Sequence, residues 1–195
     1  MLTFWEDDIH YNIDKIENII LRSCHLEQKV FSDNCIIKEL DENICKDFIN
    51  TYHIDNYIES DIKLGLFKNN ELLCCMTFSN ISDNNYLLNR ICYKNNLYVI
   101  GCEKLLLNYF KCNYTYNFII VNCNLETDNK KLYEMLGFKL ESDKIKFTLN
   151  YYNYKRSEFR FNKSMLKEFL NCNKDDIRED YLKCYSPYLI YKKRD

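Results

Sequence analysis

A turn that opens a helix carries the first residues that could do chemistry. Its residues are Val99, Ile100, Gly101, Cys102, Glu103 and Lys104. The first backbone N–H groups of a helix have no intrahelical partner, and together with the helix dipole they favour an anion. The segment therefore predicts an anion site, and a phosphate-bearing cofactor is the obvious ligand. Glu103 opposes such an anion electrostatically.

Two more side chains could take part in this chemistry. His53 ends a helical pattern, where the helix dipole favours a histidine for structural reasons alone, so a functional role and a structural role both stay open. Arg90 interrupts an apolar strand over residues 86–92. It either pairs within the fold or reaches an anionic ligand.

The first half of the chain supplies helices and a hairpin to hold these residues. The apolar spacing predicts a helix over residues 12–24 and a short strand over 35–40. Asp41 is expected to cap a helix whose inward face comprises Ile44, Phe48 and Ile49. Two apolar runs, separated by residues 68–71, predict a hairpin covered on both faces.

The second half alternates helix and strand. The helix after Gly101 is expected to bury its apolar face, comprising Leu105, Leu106, Tyr109 and Phe110. Residues 116–123 form a buried strand, parallel to its predecessor because a helix crosses between them. Thr127 or Asp128 caps the next helix, Gly137 ends it, and residues 138–150 form one or two strands. The pattern predicts an α/β (α+β) fold with a mixed, mostly antiparallel sheet.

The last fifth of the chain differs in charge. Residues 146–195 carry 12 basic and 7 acidic residues, whereas residues 1–145 carry 15 basic and 22 acidic residues. We expect one main domain over residues 1–150 and a basic extension over 151–195, with two short helices capped by Asn162 and Asn173 and an extended end. A basic extension could contact nucleic acid, although a solvated helical face also explains it.

Composition limits the class of protein. The 195 residues are 47% hydrophobic and 29% charged, which is typical of a globular protein, and no run of apolar residues is long enough to cross a membrane. Eleven cysteines without a Cys-x-x-Cys pair are expected to be reduced and buried, in a cytoplasmic protein. With three histidines and no ligand spacing, no metal site is predicted.

The turn and a second motif carry a resemblance. The V-I-G turn and the segment L-Y-x-x-L-G-F, residues 132–138, resemble the Gcn5-related N-acetyltransferase (GNAT) family. This resemblance implies that the turn binds the pyrophosphate of acetyl-CoA or another acyl-CoA. It also implies that Tyr133 is the general acid for the departing thiolate, although a packed aromatic residue is the alternative.

A longer set of segments resembles the acetyltransferase-like C-terminal region of phage homing endonucleases. They are FWEDD, His53-Ile54, IKLGLFKNNELLCCMTF, RICYK, VIG, KLYEMLGFK and YKRSEFRFNKSMLK. No nuclease segment precedes FWEDD in this sequence, so strand cleavage is not expected. Compared with that pattern, Asn124 replaces an acid, two arginines are lost, and Cys102 replaces a second turn glycine.

The resemblance implies specific roles. An acceptor amine would attack a thioester held near Arg90, Ile91 and Cys92, His53 or a water would remove the amine proton, and Tyr133 would protonate the sulfur. The cofactor-binding candidates are Arg90, Ile91, Cys92, Val99, Ile100, Gly101, Cys102, Glu103, Lys104 and Asn124. Three interpretations stay open: an acyltransferase of phage or viral type acting on an amine, such as one of a nucleic acid; a degenerate module that binds DNA or a protein; and a structural or host-interaction protein.

Overall fold

A computed structural model describes residues 2, 4, 9, 11–124, 130–148 and 184–194. Within these residues, helices alternate with strands around one main sheet. In chain order the elements are α1 Ile13–Ser23, β1 Gln28–Phe31, β2 Ile36–Glu39, α2 Glu42–Tyr52, β3 Ile62–Lys68, β4 Glu71–Ser82, β5 Asn85–Tyr93, β6 Leu97–Ile100, α3 Cys102–Asn113, β7 Phe118–Asn124, α4 Lys130–Met135, β8 Lys139–Thr148 and β9 Cys184–Arg194.

The main sheet has seven strands in the order β2-β3-β4-β5-β7-β9-β8. Every neighbouring pair is antiparallel except β5 and β7, which are parallel and joined through α3. This mixed sheet with flanking helices confirms the predicted fold class and the predicted parallel crossover. The short strands β1 and β6, whose pairing was not predicted, form a separate parallel pair.

The parallel pair separates at its C-terminal end. Pairing between β5 and β7 runs from Asn85 with Phe118 to Leu88 with Val121 and stops there. Strand β7 continues along β9 as far as Asn124, while β5 continues along β4 to Tyr93. The two strands therefore diverge beyond Leu88 and leave an opening in the sheet.

Capping and turn chemistry follow the sequence closely. The Asp41 side chain accepts a hydrogen bond of 2.8 Å from the Asn43 N–H at the start of α2, as predicted. The predicted hairpin turns at Asn69 and Asn70, which both have positive φ, as the tight turn between two twisted strands requires. Helix α1 lies within one residue of its predicted bounds.

The predicted inward faces of α2 and α3 were right for most of their residues and wrong for Ile44 and Leu105. Cys45 is buried beside Phe48 and Ile49 in α2, whereas Ile44 is 53% exposed. In α3, Cys102 is fully buried and sets the inward phase, so Leu107 packs in the core and Leu105 is 38% exposed. Positions i, i+4 and i+8 lie on one face of a helix. Because a buried cysteine occupies that face in each helix, the face differs from the one that the most apolar residues predict.

The core lies on both faces of the sheet. One cluster surrounds Phe110, whose ring stacks on Phe78 with centroids 4.1 Å apart. A smaller cluster on the other face joins α2 to Cys75 and Cys92. The prediction that the hairpin is covered on both faces is therefore confirmed.

The last strand is part of the main sheet. Strand β9 lies between β7 and β8, so residues 184–194 of the predicted extension are central to the fold. Gly137 has φ +84° and ends α4 as predicted, with the Phe138 N–H bonded to the Tyr133 carbonyl. The predicted caps at Thr127, Asp128, Asn162 and Asn173 lie outside the described residues, as do the two helices predicted within the extension.

Among the described helices, none combines the length and the apolar character needed to cross a bilayer.

Candidate functional site

A cavity of about 420 Å³ lies at the diverging end of β5 and β7. Its walls come from α1, the segment before β1, the end of α2, the end of β5, β6, the first turn of α3 and α4. The lining residues are Leu2, Asn18, Ile19, Arg22, Ser23, His25, Glu27, Tyr52, His53, Ile54, Ile91, Cys92, Tyr93, Tyr98, Glu103, Leu132, Tyr133 and Met135. The cavity thus joins segments that are distant in the chain.

His53 is the C-cap of α2 and lines the cavity. Its Nδ1 accepts a hydrogen bond of 3.1 Å from the Asp55 N–H, which leaves the proton of the neutral ring on Nε2. Burial holds the pKa of His53 well below its usual range, and the positive charges of Arg90, Arg22 and Lys15 add to this effect. His53 is therefore a neutral ring whose Nε2 is a hydrogen-bond donor, and its role as a general base stays a prediction.

Arg90 is held within the fold and does not line the cavity. Its guanidinium donates to the carbonyls of Asn56 at 3.0 Å, Asn89 at 2.9 Å and Asp55 at 3.3 Å. Of the two predicted alternatives, the structure selects pairing within the fold. By holding the loop after His53, Arg90 positions that side chain at the cavity.

The predicted turn has the expected backbone and an unexpected arrangement of side chains. Gly101 has φ +79°, and no described atom lies within 4 Å of the place where a Cβ would stand, so the turn surface is open. Val99 is buried, while Ile100 and Lys104 are exposed. Cys102 is fully buried in the core, so its side chain points away from the turn and does not crowd a ligand there.

Glu103, in the first turn of α3, faces the cavity although it is only 4% exposed. It accepts a hydrogen bond of 2.5 Å from the Tyr93 hydroxyl. Burial, followed by the nearby Glu103 carboxylate, raises the pKa of Tyr93 well above its usual value, and the same two causes raise the pKa of Tyr98 to about 12. Both tyrosines are therefore neutral hydrogen-bond donors at neutral pH.

Tyr133 reaches the cavity from α4. Its ring packs against Phe138 and Tyr191, with centroids 6.2 Å and 6.0 Å away, and it is 7% exposed. Packing and cavity lining coexist at this residue. Asn124 is buried at the end of β7, outside the cavity wall.

The structure brings five of the predicted site residues to one cavity: His53, Ile91, Cys92, Glu103 and Tyr133. It leaves the other seven outside the lining: Arg90, Val99, Ile100, Gly101, Cys102, Lys104 and Asn124. Gly101 and Cys102 nevertheless set the position of Glu103, and Arg90 sets that of His53. Gly101, Cys102 and Arg90 therefore affect the cavity only through the residues that they position.

Helix α1 also contributes to the cavity, which was not predicted from the sequence. Asn18 accepts a hydrogen bond of 3.0 Å from the Asn96 N–H, and Lys15 donates one of 2.8 Å to the Asn56 side chain. The Arg22 guanidinium lies 4.0 Å from the centroid of the Tyr93 ring. Asn18 and Arg22 are four residues apart and therefore lie on the same face of α1. This spacing of two polar residues was the signal in the sequence that could have identified them.

Solved structures share this fold. A GNAT family acetyltransferase from Elizabethkingia anophelis with acetyl-CoA bound is 15% identical over 84% of this chain and 99% of that chain, with a TM-score of 0.51. A Bacillus subtilis acetyltransferase in complex with CoA is 15% identical over 83% and 98%, with a TM-score of 0.52. An IAA acetyltransferase from Bacillus cereus is 13% identical over 83% and 99%, with a TM-score of 0.51.

Sequence comparison gives no assignment by itself. No protein-family model and no curated protein matches this sequence. The structural matches, at 13–15% identity, show a shared fold. The chain has the fold of the GNAT acetyltransferases.

Proposed function

We propose that this chain transfers an acyl group from an acyl-CoA thioester to an amine. One observation carries the proposal: His53 from α2 and Tyr133 from α4 line the same cavity, at the place where β5 and β7 diverge. The solved structures of this fold include one with acetyl-CoA and one with CoA. These likenesses support the choice of donor.

The turn at Gly101 has some of the features that binding the phosphates of acyl-CoA requires. The space around Gly101 is open, and no described side chain caps the N-terminus of α3, so its first N–H groups can receive an anion. Val99 to Lys104 would hold the phosphates in this way. The carboxylate of Glu103 in the same turn lowers the affinity.

The chain's residues then have defined tasks. The amine nitrogen forms a bond to the thioester carbon, and the bond from that carbon to sulfur breaks. The Nε2–H of His53 and the peptide N–H of Ile91 or Cys92 that faces away from β4, beyond the last pairing of β5 with β7, steady the carbonyl oxygen. Tyr133 gives its proton to the departing sulfur, and water takes the proton of the amine.

Calorimetry and a thiol-release assay test this function. We expect acetyl-CoA to bind, and we expect thiol to be released only when an amine is present. Tyr133→Phe should lower kcat by about 10²-fold, the usual contribution of a general acid, while the melting temperature stays within a few degrees. Tyr109→Phe, outside the cavity, is the control. Undetectable binding of acetyl-CoA at millimolar concentration would refute the proposal.

A second candidate function is a binding module that does no chemistry. It is favoured by the two buried carboxylates in the cavity, Glu27 and Glu103, which oppose a diphosphate. In this version the basic residues of 146–195 would contact nucleic acid, as the resemblance to phage proteins suggests. A gel shift that weakens steeply with salt, without acetyl-CoA binding, would favour this candidate.

A further inference from the structure

The cavity contains two buried charges that the protein leaves unpaired. The Arg22 Nε and Nη2 atoms and the Glu27 Oε2 atom are sheltered from solvent, and among the described residues none of these atoms has a hydrogen-bond partner. Both side chains line the cavity. Within the described part of the chain, no ion pair within 4.0 Å joins the two residues or joins either to another charge.

Leaving such groups unpaired is costly. A buried polar group without a partner destabilises the folded chain, and a buried charge without a partner does so more strongly. The Tyr93 ring covers one face of the Arg22 guanidinium at 4.0 Å, but the N–H groups point along the guanidinium plane and stay unsatisfied. A ligand that supplies partners would recover this free energy.

Three other polar groups of the cavity already have hydrogen-bond partners. Glu103 accepts from the Tyr93 hydroxyl, His53 accepts from the Asp55 N–H, and Asn18 accepts from the Asn96 N–H. Glu27 and Arg22 differ from them because each keeps an unpaired charged atom. A ligand that pairs with both side chains must therefore carry one negative group, for Arg22, and one positive group, for Glu27.

We propose that the cavity binds a zwitterion: an amine acceptor that carries its own carboxylate, as amino acids and short peptides do. Arg22 binds the carboxylate, and Glu27 binds the ammonium, after both side chains turn about their terminal torsions. This inference rests on the proposed function, because it names the acceptor class of the same site. Glu27 then lies beside the amine that must lose a proton.

The balance of charge favours a zwitterion over a simple anion. Among the described residues of the lining, Arg22 is the one arginine or lysine, whereas Glu27 and Glu103 are both there. A phosphate or a carboxylate alone would satisfy Arg22 but would face two carboxylates. A group with both charges satisfies Arg22 and Glu27 together.

A chain-length series tests the inference by calorimetry on the full-length protein. The probes are glycine, 4-aminobutyrate and 6-aminohexanoate, with butylamine and butyrate as controls that each lack one charge. We expect one zwitterion to bind at least about tenfold more tightly than either control, since a hydrogen bond to a charged group is worth that much. Zwitterions that bind no better than butylamine and butyrate would overturn the proposal.

Two variants assign the charges. Arg22→Gln should lower the affinity for the zwitterion about tenfold and leave butylamine unchanged, and Glu27→Gln should do the same with butyrate unchanged. Each variant removes an unpaired buried charge, so we expect the melting temperature to be kept or raised. Glu71→Gln, in an exposed ion pair with Lys94, is the matched control. If neither variant changes zwitterion affinity, the assignment to Arg22 and Glu27 is wrong.

A separate titration with acetyl-CoA distinguishes this inference from the proposed function. Binding of acetyl-CoA without any preference for zwitterions overturns only the inference. Binding of a zwitterion without acetyl-CoA supports the site and overturns acyl transfer.

Discussion

The two ends of the cavity treat their polar groups in opposite ways. At the His53 end, the His53 Nδ1 has a partner, and so do the guanidinium nitrogens of Arg90, which lies outside the lining and holds the loop after His53. At the Arg22 end, comprising Arg22, Glu27, Tyr93, Tyr98 and Glu103, an arginine and a glutamate keep unpaired atoms. Buried polar groups that have hydrogen-bond partners stabilise the fold, whereas those without partners mark a place where a ligand can supply the missing hydrogen bonds.

The largest difference should appear when each end loses its arginine. Arg90→Met removes three hydrogen bonds to backbone carbonyls, and we expect the free energy of unfolding to fall by about 2 kcal/mol. Arg22→Met loses a stacking contact but also an unpaired charge, so we expect a change below about 1 kcal/mol. Urea unfolding measures both. Equal losses would mean that the two ends are not different.

A pH series sharpens the description of the His53 end. The pKa of His53 is lowered in the folded state, so below about pH 6.5 the unfolded chain binds a proton that the folded chain does not. Stability is therefore lost as the pH falls through this value, by at most about 1.4 kcal/mol per pH unit. His53→Asn keeps an acceptor for the Asp55 N–H and should lose this component.

The measurement is the difference in unfolding free energy between wild type and His53→Asn from pH 8 to pH 5. The variant removes only the histidine, so carboxylates that titrate in the same range cancel in the difference. We expect a constant difference above about pH 6.5 and a shrinking advantage of the wild type below it. Parallel curves throughout would show that His53 titrates alike in both states.

The fold was largely predictable because its signals are local. The cap at Asp41, the turn at Asn69 and Asn70 and the end of α4 at Gly137 each depend on a few neighbouring residues. The apolar runs fixed most strands in the same way. The inward faces of α2 and α3 could not be predicted as well, because Cys45 and Cys102 are buried in place of more apolar neighbours.

The site was only partly predictable because it depends on contacts between distant segments. His53, Glu103 and Tyr133 were found from helix ends and motif spacing. The pairing of β1 with β6, which places Glu27 beside the start of β6, has no local signal in the short segment 28–31. Arg22 was missed for the same reason, since Tyr93, which it contacts, lies far along the chain.

A third substitution tests why the turn before α3 has a glycine at position 101. The glycine could be required only for its positive φ or also because a Cβ would lack space. Gly101→Ala forces a side chain to adopt φ +79°, where we expect a loss of about 1 kcal/mol from strain alone, because the surrounding space is open. Gly137→Ala should lose more, since its Cβ would lie 2.5 Å from the Lys193 Nζ, which donates to the Leu136 carbonyl. Equal losses would mean that the space at Gly101 is filled in solution.

The smallest expected effect concerns the carboxylate in the turn. Glu103→Gln keeps an acceptor for the Tyr93 hydroxyl and removes a negative charge from the first turn of α3. A charge at this position changes anion binding by about 0.3–1 kcal/mol, so we expect acetyl-CoA to bind about two- to fivefold more tightly. Calorimetry measures the affinity, and Glu71→Gln on the exposed surface is the control. Weaker binding in the variant would mean that Glu103 contacts the donor, and the anion site would then have to lie away from this helix.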